Sequence, residues 1–185
     1  MIMIGILSLL AIAAFYITAC RSSKEVEEGK VATPRRAKRA PQVGEAAPDF
    51  TLPNLDRNDV RLSDFRGKVI FLSFWSIRCD PCKDGMPLME VLYQRLKGED
   101  FELLAVSLDR QWWASRVGPF ARDYGLSFPI LLDLTGEIGS IYGVRRTPTT
   151  FILDKDVVII EKVIGSKDWA SQDSIEKFQR LISQD

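Results

Sequence analysis

The stretch that decides the fold is Val69-Ile70-Phe71-Leu72-Ser73-Phe74-Trp75, followed at once by Ser76-Ile77-Arg78-Cys79-Asp80-Pro81-Cys82-Lys83. Residues 69–75 are rich in β-branched and aromatic side chains and too few for a helix of this apolarity, so we predict a buried strand. Behind the cysteines, apolar side chains recur at helical spacing from Met86 to Leu96. A Cys-x-x-Cys motif therefore lies where a strand leads into a helix.

Cysteines at the start of a helix have a characteristic chemistry. The sulfur of Cys79 would face unpaired helical N–H groups and the positive end of the helix dipole, which favour the thiolate. Cys82 follows about one helical turn later, close enough to bond to Cys79. Because thiolates attack disulfides, the arrangement indicates dithiol–disulfide exchange. A redox-inert structural pair remains the alternative.

Zinc binding is the other chemistry that a Cys-x-x-Cys motif can serve. Structural zinc takes four ligands, whereas the chain has three cysteines and no histidine. The third cysteine, Cys20, lies in a separate segment with its own signal. We therefore expect neither a metal nor a cofactor.

The composition is that of one globular domain with appendages. With 46% hydrophobic and 27% charged residues, a chain of 185 residues can bury one sizeable core. The formal net charge is zero, so no large basic field indicates nucleic-acid binding.

The N-terminal segment carries signals for export and anchoring. Residues 1–19 are uncharged and mostly aliphatic, as in a signal peptide or membrane anchor. They lead into Ile17-Thr18-Ala19-Cys20, which resembles the lipobox of bacterial lipoproteins, so we expect cleavage before Cys20 and its lipidation. An uncleaved transmembrane helix is the alternative. The basic residues follow the apolar run and do not precede it, and this order argues against export. Residues 20–45 are polar without apolar periodicity, and we predict a flexible tether.

The domain is predicted to cover residues 46–185 and to alternate strands with helices. A hairpin at 49–52 and 60–62 precedes the 69–75 strand. Further strands are predicted at 101–108, 129–133, 149–153 and 157–164, and further helices at 112–124, 136–142 and 172–182. This order predicts an α/β sandwich with a mixed sheet.

Several motifs in this order resemble the TlpA/ResA-like thiol–disulfide oxidoreductases of the thioredoxin superfamily. They are Ala47-Pro48-Asp49-Phe50-Thr51-Leu52 at the domain entry, the Trp75 to Lys83 core, Pro87 in the helix, Thr147-Pro148-Thr149-Thr150-Phe151, and an extra helix near 112–126. The resemblance implies a thioredoxin-like three-layer sandwich, with helices on both faces of a mixed sheet, an N-terminal hairpin and an inserted helix.

The resemblance also implies roles for individual residues. Cys79 would be the exposed nucleophile and Cys82 the resolving thiol, the two forming a redox-active disulfide. Pro148, in a cis peptide bond, would lie against this pair, and Thr147 would offer its backbone to an extended peptide. Trp75 would form the floor of that groove, with ordinary core packing as the alternative.

The sequence departs from the family around the motif. Arg78 stands where relatives carry Trp. The positive charge of Arg78 favours the thiolate of Cys79, whereas the negative charge of Asp80 disfavours it, so the two residues shift the pKa of that thiol in opposite directions. Gly85 replaces the Glu three residues after the second cysteine, and Ser73 replaces the buried Asp of ordinary thioredoxins. Neither position can therefore supply a carboxylate for the proton of the second thiol.

The resemblance implies an extracytoplasmic, membrane-anchored enzyme that reduces disulfides of exported proteins, apocytochrome c among the candidates. Its electrons would come from a membrane donor of the CcdA/DsbD type, as in cytochrome c biogenesis. A thiol peroxidase is one alternative, since Ser76 fits the peroxiredoxin pattern; Leu72, where that pattern has proline, does not. A non-catalytic peptide-binding module is the other.

Overall fold

The computed structural model describes residues 39–184, which alternate strands and helices. The strands are β1 (Thr51–Pro53), β2 (Asp59–Arg61), β3 (Val69–Trp75), β4 (Phe101–Ser107), β5 (Ile130–Leu132), β6 (Thr149–Leu153) and β7 (Ile159–Ile164). The helices are α1 (Asp80–Leu96), α2 (Gln111–Ala114), α3 (Val117–Asp123), α4 (Glu137–Ile141) and α5 (Gln172–Ile182), and Leu62–Phe65 forms a 3-10 turn.

The central sheet has five strands in the order β5-β4-β3-β6-β7, and β1 and β2 form a separate antiparallel hairpin. Strand β4 runs parallel to both β3 and β5, whereas β6 runs antiparallel to β3 and β7. Trp75 therefore lies opposite Ser107, and Phe74 lies opposite Thr149. This register brings the ends of β3 and β4 and the start of β6 to one edge of the sheet.

Two apolar layers cover the two faces of the sheet. Every residue of β3 is buried, as expected of a central strand covered on both faces. Because successive side chains alternate, Phe71 and Trp75 pack with α1 and α5, while Leu72 and Phe74 pack on the opposite side with Tyr142. The predicted mixed-sheet α/β sandwich is thereby confirmed.

Polar contacts at Asp49 close the base of the hairpin, because Asp49 precedes β1 and its partners lie in β2 and the 3-10 turn that follows it. The carboxylate of Asp49 accepts hydrogen bonds from Arg61 Nε at 2.8 Å, from Ser63 N at 3.0 Å and from Ser63 Oγ at 3.1 Å. Burial raises the pKa of Asp49, but the hydrogen bonds from Arg61 and Ser63 outweigh it and hold the pKa below its ordinary value.

The inserted helix differs from its predicted single span over 112–124, because α2 and α3 are separate short helices. In one continuous helix, the ring of Pro119 would clash with the carbonyl of Ser115 and remove a hydrogen bond. Starting α3 at Val117 places Pro119 in a first turn, where no N–H is required. Gly125, with φ of 63°, follows the C-cap residue Tyr124 in the left-handed conformation that commonly ends a helix.

The predicted signal peptide at 1–19 and the lipidation site Cys20 lie outside the described residues. The last part of the predicted tether, residues 39–45, lies against the domain. Gly44 N donates to Ile159 O at 2.8 Å, and Ile159 N donates to Glu45 O at 2.9 Å. Within residues 39–184, no helix combines the length and apolarity needed to cross a membrane.

Candidate active site

The two cysteines of the motif lie at the junction of β3 and α1 and form a disulfide bond, with their Cα atoms 5.2 Å apart. Cys79 is the N-cap of α1, and its Sγ accepts a hydrogen bond from Cys82 N at 3.2 Å. Pro81 follows in the first turn, where a missing N–H has no cost. The sulfur of Cys79 thus occupies the position that favours a thiolate.

The two sulfurs differ in accessibility. Cys79 is partly exposed, whereas Cys82 is 3% exposed and belongs to the core beneath α1. A partner molecule can therefore reach Cys79 more readily than Cys82. This asymmetry is what a nucleophile and a resolving thiol require.

A buried carboxylate, Asp109, holds the segment that precedes Cys79. It is 3% exposed and lies just beyond the end of β4. Its Oδ1 accepts from Ser76 Oγ at 2.7 Å, and its Oδ2 accepts from Ile77 N at 2.9 Å and Ser107 Oγ at 2.9 Å. The sequence analysis missed Asp109. The available signal was a polar Ser-x-Asp at the end of the strand that pairs with β3.

Charged and aromatic side chains surround the exposed side of the motif. The guanidinium carbons of Arg78 and Arg116 lie 5.6 Å and 4.5 Å from the centre of the Trp113 ring. Asp80 accepts a hydrogen bond from Lys83 Nζ at 2.7 Å, and this bond lowers the pKa of Asp80 below its usual value. Lys83 therefore offsets part of the negative charge that Asp80 brings near Cys79.

Beneath Cys82 lies a cavity of about 10 Å³, close to the least volume that admits one water molecule. Ser73, Thr150 and Gly85 line it together with Cys82, and Thr150 Oγ1 donates to Ser73 Oγ at 3.3 Å. Its lining, among the described residues, contains no carboxylate. A Cβ atom at Gly85 would meet nothing within 4 Å, so the position at which the family resemblance implies Glu has open space for a side chain.

The predicted groove residues lie near the disulfide. The Thr147–Pro148 peptide bond is cis, both residues are partly buried, and Pro148 lines the same cavity as Cys82. Trp75 is completely buried, with its ring 5.3 Å from that of Phe120. Core packing therefore describes its side chain better than contact with a bound peptide.

Among residues 39–184, no group of three or more His, Cys, Asp or Glu side chains lies close enough to hold a metal ion.

The fold and the site together define a class of protein: a disulfide at a helix N-terminus, next to a cis proline and over a mixed sheet, is the arrangement of thioredoxin-like oxidoreductases. Residues 43–162 match the AhpC/TSA family. A thiol-disulfide oxidoreductase ResA from Bacillus thuringiensis subsp. konkukian is 35% identical over 142 residues, which are 77% of this chain and 79% of that protein.

Solved structures of proteins named for thiol–disulfide chemistry or as thioredoxins are also similar to this chain. A structure described as thiol:disulfide interchange protein DsbE from Chlorobium tepidum has a TM-score of 0.71 and 27% identity, covering 78% of this chain and 100% of that one. The pneumococcal exposed lipoprotein thioredoxin Etrx1 from Streptococcus pneumoniae has a TM-score of 0.60 and 27% identity, covering 72% and 100%. The chain belongs to the AhpC/TSA family and is a ResA-like thiol–disulfide oxidoreductase of the thioredoxin superfamily, with Cys79 and Cys82 as its cysteine pair.

Proposed function

We propose that the protein is held at the outer face of the cytoplasmic membrane through Cys20 and reduces disulfides of exported proteins through Cys79. The observation that carries the proposal is the partly exposed residue Cys79 at the start of α1, three residues before the buried Cys82. The lipobox-like Ile17-Thr18-Ala19-Cys20 supports the anchor. The similarity to the pneumococcal protein described as an exposed lipoprotein thioredoxin also supports it.

The reaction consists of two exchanges that together transfer two electrons. The Cys79 thiolate attacks one sulfur of the partner's disulfide, forming a mixed disulfide and releasing the other sulfur as a thiolate. The Cys82 thiolate then attacks Cys79 Sγ, which forms the Cys79–Cys82 disulfide and releases the second partner thiolate. The partner's disulfide is reduced, and the dithiol of this protein is oxidised.

The second exchange is the slower one in this proposal. Cys82 must lose its proton before it attacks, and burial in apolar surroundings disfavours its thiolate. Gly85 and Ser73, which line the cavity together with Cys82, carry no carboxylate, so the proton passes to water or to the departing partner thiolate. A hydroxyl pair such as Ser73 and Thr150 can relay a proton but is a poor base at neutral pH.

The partners are exported proteins with accessible disulfides, apocytochrome c among them, and a membrane dithiol donor of the CcdA/DsbD type that restores the reduced state. An extended segment of the partner would lie along the backbone of Thr147, next to the partly buried Pro148. Backbone pairing of this kind gives affinity with little dependence on side chains.

The test uses the reduced full-length protein, with insulin and hydrogen peroxide as competing substrates. We expect insulin disulfides to be reduced in proportion to the dithiol supplied, and peroxide consumption to stay at the level of a free thiol. In cells, Cys82→Ala should accumulate adducts with exported proteins that disappear on reduction. Rapid peroxide consumption without insulin reduction would instead favour the peroxidase alternative, and no reaction with either would favour a binding module.

A further inference from the structure

Five arginines surround the reactive edge of the sheet, and all five side chains are exposed. Arg78 precedes Cys79, Arg110 follows β4, and Arg116 lies between α2 and α3. Arg145 and Arg146 precede the Thr147–Pro148 bond. Segments 76–83, 108–117 and 143–149 together carry six basic and two acidic residues, in a chain whose formal net charge is zero. Positive charge is therefore concentrated where a partner's disulfide must approach.

Among residues 39–184, no ion pair neutralises these arginines. The ion pairs found among residues 39–184 involve other cations, namely Arg39, Arg61, Lys68, Lys83, Lys155, Lys167, Lys177 and Arg180. Of the two acidic residues in the three segments, Asp80 is paired with Lys83, and Asp109 is buried and bonded to Ser76 and Ile77. No described carboxylate competes with a ligand for the five guanidinium groups.

Aromatic contacts orient part of this surface without removing its charge. Arg78 and Arg116 share the ring of Trp113, which limits the rotamers of both side chains. The neighbouring Trp112 is 71% exposed and offers an apolar contact beside them. The backbone carbonyl of Arg146 accepts a hydrogen bond from Thr149 Oγ1 at 2.8 Å, which fixes the segment that carries Arg145 and Arg146.

We propose that this surface binds acidic side chains next to the reacting cysteines of the partner protein, so that disulfides flanked by Asp or Glu are the preferred substrates. The inference rests on the proposed reductase function and names its substrate class. Guanidinium groups bind carboxylates through paired hydrogen bonds. A positively charged surface also raises the association rate of negatively charged partners. A protein partner fits better than an anionic membrane, because a bilayer covering the arginines would also cover Cys79.

The test measures how fast the reduced full-length protein attacks two disulfide peptides that differ at two flanking residues, Glu in one and Lys in the other. At low ionic strength we expect the Glu peptide to react about tenfold faster, and the preference to shrink in 0.5 M NaCl because salt screens exposed charges. Arg145→Gln/Arg146→Gln should lose most of the preference. The matched control, Arg66→Gln/Arg95→Gln, removes two exposed arginines away from this edge and should keep it.

A small neutral disulfide, hydroxyethyl disulfide, separates failure of the reductase function from failure of the acidic preference. If the protein does not reduce it, the reductase function fails. If it is reduced equally by all variants and the two peptides react at the same rate, the acidic preference alone is overturned. A third outcome is that both double variants keep the same preference for the Glu peptide while Arg145→Gln/Arg146→Gln binds phosphatidylglycerol vesicles more weakly. The surface would then be a membrane contact, and the proposed acidic preference of this surface would also be overturned.

Discussion

Replacing Asp109 with alanine tests whether this buried carboxylate holds the segment before the nucleophile. Three donors converge on it: the hydroxyls of Ser76 and Ser107 and the backbone N–H of Ile77. In Asp109→Ala, both hydroxyls can rotate to other acceptors, but the N–H of Ile77 is left without its acceptor. The segment from β3 to Cys79 then loses its fixed geometry.

The expected loss of stability follows from these bonds. A hydrogen bond to a charged acceptor contributes about 1.5–3 kcal/mol, and an unsatisfied buried N–H costs about 1–3 kcal/mol. Removing the carboxylate also relieves the cost of burying its charge, which offsets part of the loss. We expect a net destabilisation of about 3 kcal/mol, or a fall in melting temperature of about 10 °C for a domain of this size.

The effect on chemistry should follow from the loss of positioning. Displacing a reacting group by about 1 Å can cost up to 10²-fold in rate, and Cys79 keeps its helix N-cap position, so we expect about a tenfold slower attack on a model disulfide.

Asp109→Asn is the matched control, because one amide oxygen can still accept from Ile77 and Ser107. It should keep most of the rate and lose about 1 kcal/mol. Thermal melts and stopped-flow fluorescence of the reduced variants measure both quantities. If Asp109→Ala melts within about 2 °C of the wild type and reacts at an unchanged rate, Asp109 has no positioning role.

Three further predictions concern the cavity, the hairpin and the N-terminus. Gly85→Glu should accelerate the attack of Cys82 on the mixed disulfide by less than about 10²-fold, mainly near neutral pH, without changing the rate of the first attack by Cys79. If the wild type resolves the mixed disulfide equally fast at pH 6 and pH 9, another proton acceptor exists. Because the pKa of Asp49 is lowered in the folded state, its stabilising contribution is complete above the unfolded value of about 3.9 and is lost as pH falls through the folded value. The stability difference between wild type and Asp49→Asn in urea should therefore narrow between pH 6 and pH 3, and a constant difference would refute this. Mass spectrometry of the mature N-terminal peptide should find acylated Cys20; an intact segment 1–19 would mean a transmembrane anchor.

Features that depend on local pattern were predictable from the sequence. Six of the seven residues from Val69 to Trp75 are apolar, and most of these are β-branched or aromatic, which favours a buried strand. The spacing of apolar residues from Met86 to Leu96 favours a helix after it. The final helix was predicted at 172–182 and found at Gln172–Ile182, because its apolar side chains recur on one face. These elements placed the cysteine pair correctly at a helix start.

Features that depend on distant contacts were missed or only partly predicted. Asp109 meets Ser76 only because β4 pairs in parallel with β3, a register that the sequence does not state. The break between α2 and α3 was detectable, since Pro119 cannot lie in the interior of a regular helix. The arginines at 110 and 145–146 are far apart in sequence, and only the sheet brings them to the same edge.

The most direct test of the central claim identifies which sulfur a disulfide substrate joins. Reduced Cys82→Ala and Cys79→Ser variants are mixed with a labelled disulfide peptide, and peptide mapping by mass spectrometry separates adducts on either motif cysteine from any on Cys20. We predict nearly one label per chain on Cys79 in Cys82→Ala and none on the motif in Cys79→Ser. Labelling of Cys82 in Cys79→Ser at a comparable rate, or no motif adduct in either variant, would contradict the assignment of Cys79 as the nucleophile.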